Sequence, residues 1–362
     1  MRKSPILAAV LSVSAGFAQA QETKVFTNAN VLTMDANFSM TEAMAIRGNR
    51  ILSVGTEADV MAEAGENASV VDLAGNTILP GFIDAHSHPV GGGASSVFDN
   101  VGIDRFSTVE EALGYMKEAT EGQGPSDWAL FVNLDLATQS FADGLVTRDH
   151  LDTIAPDTPM VIWQAGGHKM TVNSVMLDLM DVNDDAPDPE GAQFGRFDDG
   201  RPDGNLSGAA LLFGALGVIE PYNSYDRIGG SVALAKEWNA QGLTTLGVAG
   251  VASPKDWGVF EELAARDDFP LRTRHYLQWG ALATWDEAGV APGQGDDKSR
   301  IVGWKISADG SNQAFTGLQR EPYLNSDNLG LAYMSQKDID TAVVEGTKRG
   351  GQMAIHGNGN AA

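Results

Sequence analysis

The sequence predicts an α/β protein in which a small antiparallel β unit precedes a parallel sheet or barrel. Residues 22–80 contain short apolar runs joined by Gly-Asn turns and little helix, which is the pattern of β-hairpins. From residue 79 onward, apolar strands alternate with helix-start and helix-stop signals, which is the pattern of parallel α/β folds. The length of 362 residues allows about two domains and a buried core.

Two Gly-Asn pairs lie between β-rich runs in the first part of the chain. Each pair favours a tight turn between antiparallel strands. The predicted hairpins join residues 42–46 to 50–54 at Gly48 and Asn49, and residues 70–73 to 77–79 at Gly75 and Asn76. A short helix is expected near residues 57–64.

The second part of the chain contains five apolar or β-branched runs that predict strands, and three serines that predict helix starts. The predicted strands are 79–86, 243–248, 271–279, 301–307 and 352–356. The predicted helices begin after Ser107, Ser253 and Ser335. Residues 181–203 are acidic and rich in Gly and Pro, so we expect a solvated surface loop there.

The composition excludes several classes of partner and site. A net charge of −24 argues against nucleic acids and anionic membranes as partners, because both repel acidic proteins. The chain has no Cys, which excludes disulfides, thiolate metal sites and a cysteine nucleophile. Any metal ion must therefore bind His, carboxylate or a modified Lys side chain.

Residues 1–20 have the pattern of a secretory signal peptide. Two basic residues precede an apolar stretch over residues 6–17, and Ala18 and Ala20 form a small-x-small cleavage site. The apolar stretch is shorter than a membrane-spanning helix requires. The sequence therefore predicts export to the periplasm or beyond, with a buried N-terminal helix as the alternative.

His86 and His88 end the first strand of the parallel part. In a strand, residues i and i+2 point to the same side, so both imidazoles can reach one metal ion, and Asp84 shares their side. The carboxyl ends of parallel strands are the usual position of active-site residues in α/β enzymes. Pro89 and the three glycines at 91–93 are expected to stop the strand and to leave room for a ligand.

Three further residues are candidates for the same site. His356 ends the last predicted strand, where a hydrogen-bonded structural histidine is the alternative. Lys305 lies in an apolar strand, where a buried lysine is costly unless it is paired or deprotonated. A deprotonated Lys305 can take up carbon dioxide and become a carbamate, and pairing with Asp309 is the alternative. His168 follows a predicted strand over residues 159–163, and both a substrate contact and a local structural role stay open for it.

Other polar and aromatic residues have structural explanations. His150 is predicted to be solvated, and His275, inside the strand at 271–279, to be a satisfied core or surface histidine. Trp163 and Trp304 are residues that more often fill a core than line a pocket.

The ordered motifs of the chain resemble the amidohydrolase superfamily and, within it, the family-3 branch of YtcJ-like amidohydrolases. The first-strand motif is Pro-Gly-Phe-Ile-Asp-Ala-His-Ser-His over residues 80–88. The other matching segments are residues 167–174, 204–208, 242–245, 305–311, 321–323 and 356–362. The resemblance extends over about residues 22–362.

The resemblance implies a TIM-like (β/α)8 barrel, with a small N-terminal β-sandwich subdomain over residues 21–78. About five of the eight barrel strands would lie in residues 79–362, which include a large insertion at about 95–240. The family also has a histidine after strand 6 and an aspartate after strand 8, for which this sequence has no counterpart. We therefore expect that it is the amino-terminal portion of a longer protein. Asn360 stands where the family usually has Asp.

The resemblance also implies a metal-dependent hydrolase. His86, His88, Lys305 as a carbamate, and His356 would bind one or two divalent metal ions, with Zn²⁺ as the expected metal. The metal would activate water for hydrolysis of carbon–nitrogen bonds other than peptide bonds, in amides or cyclic amides. Lys305 and His168 are the expected catalytic residues.

The remaining expectations concern substrate and partners. His168, Trp304 and Asp309 are expected to contact a small-molecule substrate. No nucleic acid is expected, and no membrane after signal cleavage, while a homo-oligomer is compatible with the sequence. Two other functions stay open, a deaminase or lactonase-type reaction on the same fold and an inactive truncated remnant or binding protein.

Overall fold

The computed structural model describes residues 22–142 and 144–362. Within these ranges the chain forms two compact units, residues 22–81 and 82–362. The predicted signal peptide, residues 1–20, lies outside the described residues.

The first unit consists of two small β-sheets and one helix. Its strands are β1 (Thr23–Thr27), β2 (Asn30–Leu32), β3 (Met40–Thr41), β4 (Ala43–Arg47), β5 (Arg50–Gly55), β6 (Ser69–Asp72) and β7 (Thr77–Ile78). The strand order is β5-β4-β1-β6 in the larger sheet and β3-β2-β7 in the smaller one. Helix α1 (Glu57–Ala64) confirms the short helix predicted there, and the Thr56 side chain caps it by accepting a hydrogen bond from Asp59 N–H.

The two predicted hairpins have different outcomes. β4 and β5 pair antiparallel on either side of Gly48, as predicted. The second hairpin prediction is wrong, because β6 runs parallel to β1 and β7 runs parallel to β2. The turn at Gly75 is present, with φ at +81°, but it transfers the chain from one sheet to the other.

The second unit contains a parallel half-barrel sheet and a mixed sheet inserted into it. Its strands are β8 (Phe82–Ser87), β9 (Asp99–Asn100), β10 (Ala129–Val132), β11 (Met160–Trp163), β12 (Lys169–Val172), β13 (Gln193–Arg196), β14 (Pro202–Ser207), β15 (Leu243–Val251), β16 (Arg272–Gln278), β17 (Ser299–Ser307) and β18 (Gln352–His356). Its α-helices are α2 (Pro89–Ala94), α3 (Val109–Ala119), α4 (Arg148–Ile154), α5 (Ser174–Leu179), α6 (Ala209–Val218), α7 (Glu220–Ser224), α8 (Arg227–Ala240), α9 (Pro254–Ala264), α10 (Leu282–Ala288) and α11 (Gln336–Lys348). Short 3₁₀ turns lie at Ser95–Val97 and Trp279–Ala281.

The half-barrel consists of five parallel strands in the order β8-β15-β16-β17-β18. Spatial order follows chain order, and α9, α10 and α11 connect the last four strands, as βα units do in a barrel. Apolar side chains of strands and helices form the core of this part, among them Leu246, Phe260, Leu277 and Trp285. The predicted parallel α/β sheet is therefore confirmed, while closure into an eight-strand barrel and a complete β-sandwich stay predictions.

The three predicted helix starts correspond to helices α3, α9 and α11, and one of them is displaced by one residue. Ser253 and Ser335 cap α9 and α11 as predicted. Helix α3 begins one residue later than predicted, because Thr108 rather than Ser107 is the N-cap and Glu111 closes the capping box. In the described part of the chain, no helix combines the length and the apolar character that crossing a membrane requires.

The insertion between β8 and β15 is a six-stranded mixed sheet in the order β13-β14-β12-β11-β10-β9. Of these strands, the sequence predicted only the one at 159–163, which is β11. The sheet has apolar clusters of its own, one of which includes Met170 and Leu206. The prediction of a solvated loop over residues 181–203 is wrong for its last part. This part contains β13 and the first residues of β14, and Asp203 is buried.

Candidate active site

The two histidines of the first strand lie where β8 meets α2. The Ser87 hydroxyl at the end of β8 donates a hydrogen bond to the Gly247 carbonyl of β15 (3.3 Å). Asp84 Oδ1 accepts a hydrogen bond from His86 N–H (3.0 Å), and His88 is the N-cap residue of α2. The rings of His86 and His88 lie edge to face, with centroids 5.2 Å apart. The predicted pair is therefore together at the carboxyl end of β8.

Lys305 and His356 come from the adjacent strands β17 and β18. The register pairs Lys305 with Ala354 and Ser307 with His356. Since residues two apart in a strand share a face, Lys305 and His356 point to the same face of the sheet. Lys305 is 5% exposed, and His356 Nε2 donates a hydrogen bond to the Gly310 carbonyl (2.8 Å).

A cavity of about 330 Å³ lies at this end of the half-barrel. Its lining includes His86, Tyr276, Lys305, His356 and Asn358. Three of the four predicted metal ligands therefore border one cleft, and the fourth is the ring neighbour of His86.

The cleft lowers the pKa values of its own basic groups. Burial, followed by repulsion from His86 and Lys305, lowers the pKa of His88 to about 4, although the residue as a whole is exposed. Burial also lowers the pKa of His86, with repulsion from Lys305 and His356 as smaller causes. Burial lowers the pKa of Lys305. The lowered pKa values favour the uncharged imidazoles of His86 and His88, which is the form that binds a metal ion.

His168 reaches this cluster from the inserted sheet. It lies in the turn between β11 and β12, after Gly166 and Gly167, whose φ values of +82° and +74° favour glycine. Its ring centroid lies 4.7 Å from that of His356. Burial, with repulsion from His356 as the next cause, lowers the pKa of His168 to about 4. The structure therefore brings His168 next to the predicted metal ligands.

Asp309 is fully buried behind the cleft. Its carboxylate accepts hydrogen bonds from the backbone N–H groups of Leu318 (2.8 Å), Asn358 (2.9 Å) and Gly359 (2.7 Å). Within residues 22–142 and 144–362, no ion pair joins Asp309 to Lys305. The carboxylate thus ties the loop after β17 to the end of β18, and its contact with substrate stays a prediction.

Two other positions from the sequence lie outside the cavity lining. Trp304 is 1% exposed and packs in the core of the half-barrel, so its substrate contact also stays a prediction. Asn360, at the position where the family usually has Asp, accepts a hydrogen bond from Arg320 N–H (2.8 Å). Its amide oxygen therefore holds the loop that follows β17.

Among the residues near the cleft that the sequence did not single out, Tyr333 and Asn358 lie in irregular segments, while Tyr276 lies on β16. The Tyr333 hydroxyl lies 3.4 Å from His168 Nδ1, and Asn358 Nδ2 donates a hydrogen bond to the Gly310 carbonyl (3.0 Å). Both residues lie in irregular segments, where hydrophobic periodicity gives no signal. Asn358 belongs to the matching segment 356–362, which is the signal that could have identified it.

The donor atoms of the predicted ligands are of the kinds that a divalent metal ion binds. The imidazoles of His86, His88 and His356 and the Lys305 amine lie together, and nitrogen and oxygen ligands are those that zinc takes in the absence of cysteine. In the described ranges, however, no three His, Cys, Asp or Glu side chains are arranged so that they could hold a metal ion. In this arrangement His356 Nε2 is hydrogen-bonded to the Gly310 carbonyl. The side chains therefore have suitable donor atoms for a metal ion, but their present arrangement does not form a metal site.

Comparison with curated proteins gives relatives over most of the chain. The N-substituted formamide deformylase of Arthrobacter pascens is 28% identical over 353 residues, which cover 92% of this chain and 63% of that protein. The amidohydrolase YtcJ of Bacillus subtilis is 23% identical over 338 residues, which also cover 92% of this chain and 63% of that protein. The chain therefore spans less than two thirds of the length of these two relatives.

Comparison with solved structures supports the fold. The crystal structure of an uncharacterized metal-dependent hydrolase from Pyrococcus horikoshii matches with a TM-score of 0.66 and 20% identity. The match covers 94% of this chain and 66% of that one. At 20% sequence identity, the structural similarity shows that the two chains share a fold.

A family model described as amidohydrolase family matches residues 69–362, which is well over half of the chain. The matched range contains all five strands of the half-barrel and every residue of the cleft. The relative YtcJ agrees with the branch that the sequence motifs indicate. The chain therefore belongs to the amidohydrolase family, in the family-3 branch of YtcJ-like proteins.

Proposed function

We propose that the protein hydrolyses carbon–nitrogen bonds other than peptide bonds in small amides or cyclic amides, in a metal-dependent reaction. The observation that supports this most is the meeting of His86, Lys305, His356 and His168 at the carboxyl end of one parallel sheet. These groups come from three strands and one inserted hairpin, so separate parts of the chain converge on one cleft.

The proposed substrate class rests on the relative from Arthrobacter pascens. Its name gives it as a deformylase of N-substituted formamides, and it aligns with 92% of this chain. The cavity of about 330 Å³ is in the range that accommodates a small ligand. An N-substituted formamide is therefore the first substrate to test.

We propose that His86, His88, Lys305 and His356 hold the metal, with zinc as the expected ion. Desolvation favours the uncharged amine of Lys305, and an uncharged amine can take up carbon dioxide to give a carbamate with two oxygen donors. When bound, a divalent ion supplies Lewis acidity to the substrate carbonyl and to the attacking water.

The residues around the metal ligands would position the substrate. His168 lies beside His356, where its imidazole can hydrogen-bond the substrate carbonyl oxygen as negative charge develops on it. Asp309 holds the segment after β17 against the end of β18, the strand that ends at His356. Such fixed contacts reduce the reorganisation that the reaction requires, although His356 would have to leave the Gly310 carbonyl to bind a metal through Nε2.

The test is hydrolysis of an N-substituted formamide by the purified full-length protein, measured as formate release before and after removal of metal. We expect no turnover after chelation, recovery on addition of Zn²⁺, and a loss of at least about 100-fold in Lys305→Met. The matched control is Lys337→Met, which removes an exposed lysine on α11 and should keep activity. Absence of hydrolysis in every condition, or activity that chelation leaves unchanged, would refute the proposal.

A further inference from the structure

We propose that Gly166 is a positioning residue for His168: because Gly166 has no side chain, Ser311 packs against the inserted turn and holds His168 in the cleft. The inserted turn is the segment 164–168 between β11 and β12, and Ser311 lies in the loop 308–335 between β17 and α11. The inference rests on the proposed function, because that proposal places His168 at the substrate carbonyl.

The inserted turn has a fixed backbone course. Gly167 N–H donates a hydrogen bond to the Gln164 carbonyl (3.2 Å), and the indole N–H of Trp163 donates to the Gly167 carbonyl (3.3 Å). Residues on both sides of Gly166 are therefore tied to one another. A displacement of the backbone at Gly166 is expected to displace His168, two residues further on, as well.

Gly166 is the point at which this turn meets the half-barrel loop. Its φ of +82° favours glycine, and a Cβ atom there would lie 2.7 Å from Ser311 Oγ, whereas ordinary contacts of a Cβ atom begin at 3.4 Å. Gly167 has a similar φ of +74°, but a Cβ atom at that position would meet no atom within 4 Å. The two glycines therefore share the same kind of backbone strain and differ in their contact with Ser311.

Ser311 is held in place on its own side of this contact. The residue is 3% exposed, and its hydroxyl oxygen accepts a hydrogen bond from Ala314 N–H (3.2 Å). Its carbonyl accepts hydrogen bonds from the backbone N–H groups of Thr316 and Gly317 (3.0 Å each). Rotation of the hydroxyl away from Gly166 would leave a buried N–H group without its partner, which is costly. A methyl group at Gly166 would therefore push the inserted turn aside rather than Ser311.

The same loop meets the inserted sheet again beside His168. The Tyr333 hydroxyl lies 3.4 Å from His168 Nδ1, and a Cβ atom at Gly191, whose φ is +67°, would lie 3.0 Å from the Tyr333 carbonyl oxygen. The His168 ring itself lies 4.7 Å from that of His356, measured between centroids. Contacts with one loop on either side of His168 thus decide how far its imidazole reaches into the cleft.

The first test compares full-length Gly166→Ala and Gly167→Ala in hydrolysis of an N-substituted formamide. We expect Gly166→Ala to lower kcat at least about 10-fold while KM stays nearly constant, because a misplaced His168 stabilises the transition state less. Gly167→Ala is the matched control, which introduces similar backbone strain without the new contact and should keep both parameters.

A rescue variant separates the contact from a general loss of structure. Ser311→Ala removes the oxygen that the methyl group of Gly166→Ala would meet, and the next atoms around that methyl group lie 3.5 Å or more away, on Gln313. The double variant Gly166→Ala/Ser311→Ala should therefore regain most of the lost kcat. Equal losses in the two glycine variants, or no recovery in the double variant, would overturn the proposal.

The second test does not depend on activity. It measures the nuclear Overhauser effect between the ring protons of His168 and His356 in the full-length protein, with His168→Asn used to assign the signals. We expect a cross-peak in the wild type, in Gly167→Ala and in the double variant, and a much weaker one in Gly166→Ala. A wild type without the cross-peak, or one of full intensity in Gly166→Ala, would overturn the proposal. If the wild type hydrolyses no formamide, the proposed function fails, while this cross-peak still decides the present inference.

Discussion

His275 shows how a histidine can be buried without belonging to the site. It lies within β16, and its Nε2 contacts the hydroxyls of Thr273 (2.8 Å) and Ser299 (2.9 Å). The rings of Trp257 and Phe260 pack against it. The sequence predicted a satisfied core or surface histidine. In the described residues His275 is a core histidine whose Nε2 is satisfied, while its buried Nδ1 has no hydrogen-bond partner, so the prediction is only half correct.

This burial predicts a loss of stability in acid. Burial, with repulsion from Arg274 as a smaller cause, lowers the pKa of His275 to about 3 in the folded protein, against about 6.5 in the unfolded chain. As the pH falls below about 6.5, only the unfolded state takes up the proton, so stability decreases down to the folded pKa and is unaffected above 6.5. Replacement by Asn removes this titration.

The measurement is urea unfolding of the wild type and of His275→Asn at pH 7 and pH 5. We expect the wild type to lose about 2 kcal/mol more than the variant over this interval. The matched control is Gln241→Asn, at an exposed position without a titratable side chain, which should show the same pH dependence as the wild type. Parallel pH dependence in wild type and His275→Asn would contradict the account.

At the residue scale, strand parity and the family resemblance together predict the cleft. The alternation of side chains in β8 places His86 and His88 correctly, and the resemblance adds Lys305 and His356. Tyr333 could not be predicted, because its contact with His168 joins two segments far apart in the chain through an irregular loop.

At the scale of elements, the three glycines after β8 belong to α2, which packs against α8. The strand ends before them as predicted, and Gly91 has open space beside it, so room for a ligand there stays a prediction. A Cβ atom at Gly93 would lie 2.9 Å from the backbone carbon of Gly230 and 3.0 Å from Ser231 N. This close packing positions His88, because His88 is the N-cap of the same helix.

The helix contact gives a prediction about two neighbouring glycines. Gly93→Ala should destabilise the protein by about 1–3 kcal/mol, because the new methyl group meets backbone atoms that cannot move aside alone. Gly91→Ala, in the same helix, should be neutral or stabilising by up to about 1 kcal/mol, because its Cβ would meet no atom within 4 Å. Urea unfolding of both variants measures the difference, and equal effects would contradict close packing at Gly93.

Elements of the half-barrel were predicted better than those of the insertion. The five strands of the half-barrel and the helices with serine caps follow from pattern and capping signals. In the insertion β9, β10, β12, β13 and β14 were missed, since the first four are too short to show alternation and β14 consists mainly of polar and turn residues. Helices α6 and α8 were missed too, and neither was identified by a capping signal. The second hairpin failed for another reason, because local turn signals do not reveal that β6 and β7 pair with β1 and β2.

At the scale of the whole molecule, the ordered motifs predict the family. The alternation of apolar strands with helix signals, taken alone, predicts only a parallel α/β fold. Parallel sheets are usually covered on both faces, yet Phe82 and Ile83 on β8 and Ile355 on β18 are 56%, 70% and 49% exposed. These strands are the two outer strands of the half-barrel. No local sequence signal distinguishes an outer strand of a parallel sheet from a central one, so the exposure is predicted only by the number of strands, because five strands cannot close an eight-strand barrel and leave open edges.

The central claim is that the cleft between β8, β17 and β18 binds a divalent metal. The most direct test is the metal content of the purified chain after exposure to Zn²⁺ and desalting, measured by mass spectrometry. We expect one or two zinc ions per chain in the wild type, none in the double variant His86→Ala/His88→Ala, and the wild-type content in the control His150→Ala. A wild-type chain that retains no metal, or a double variant that retains as much as the wild type, would contradict the claim.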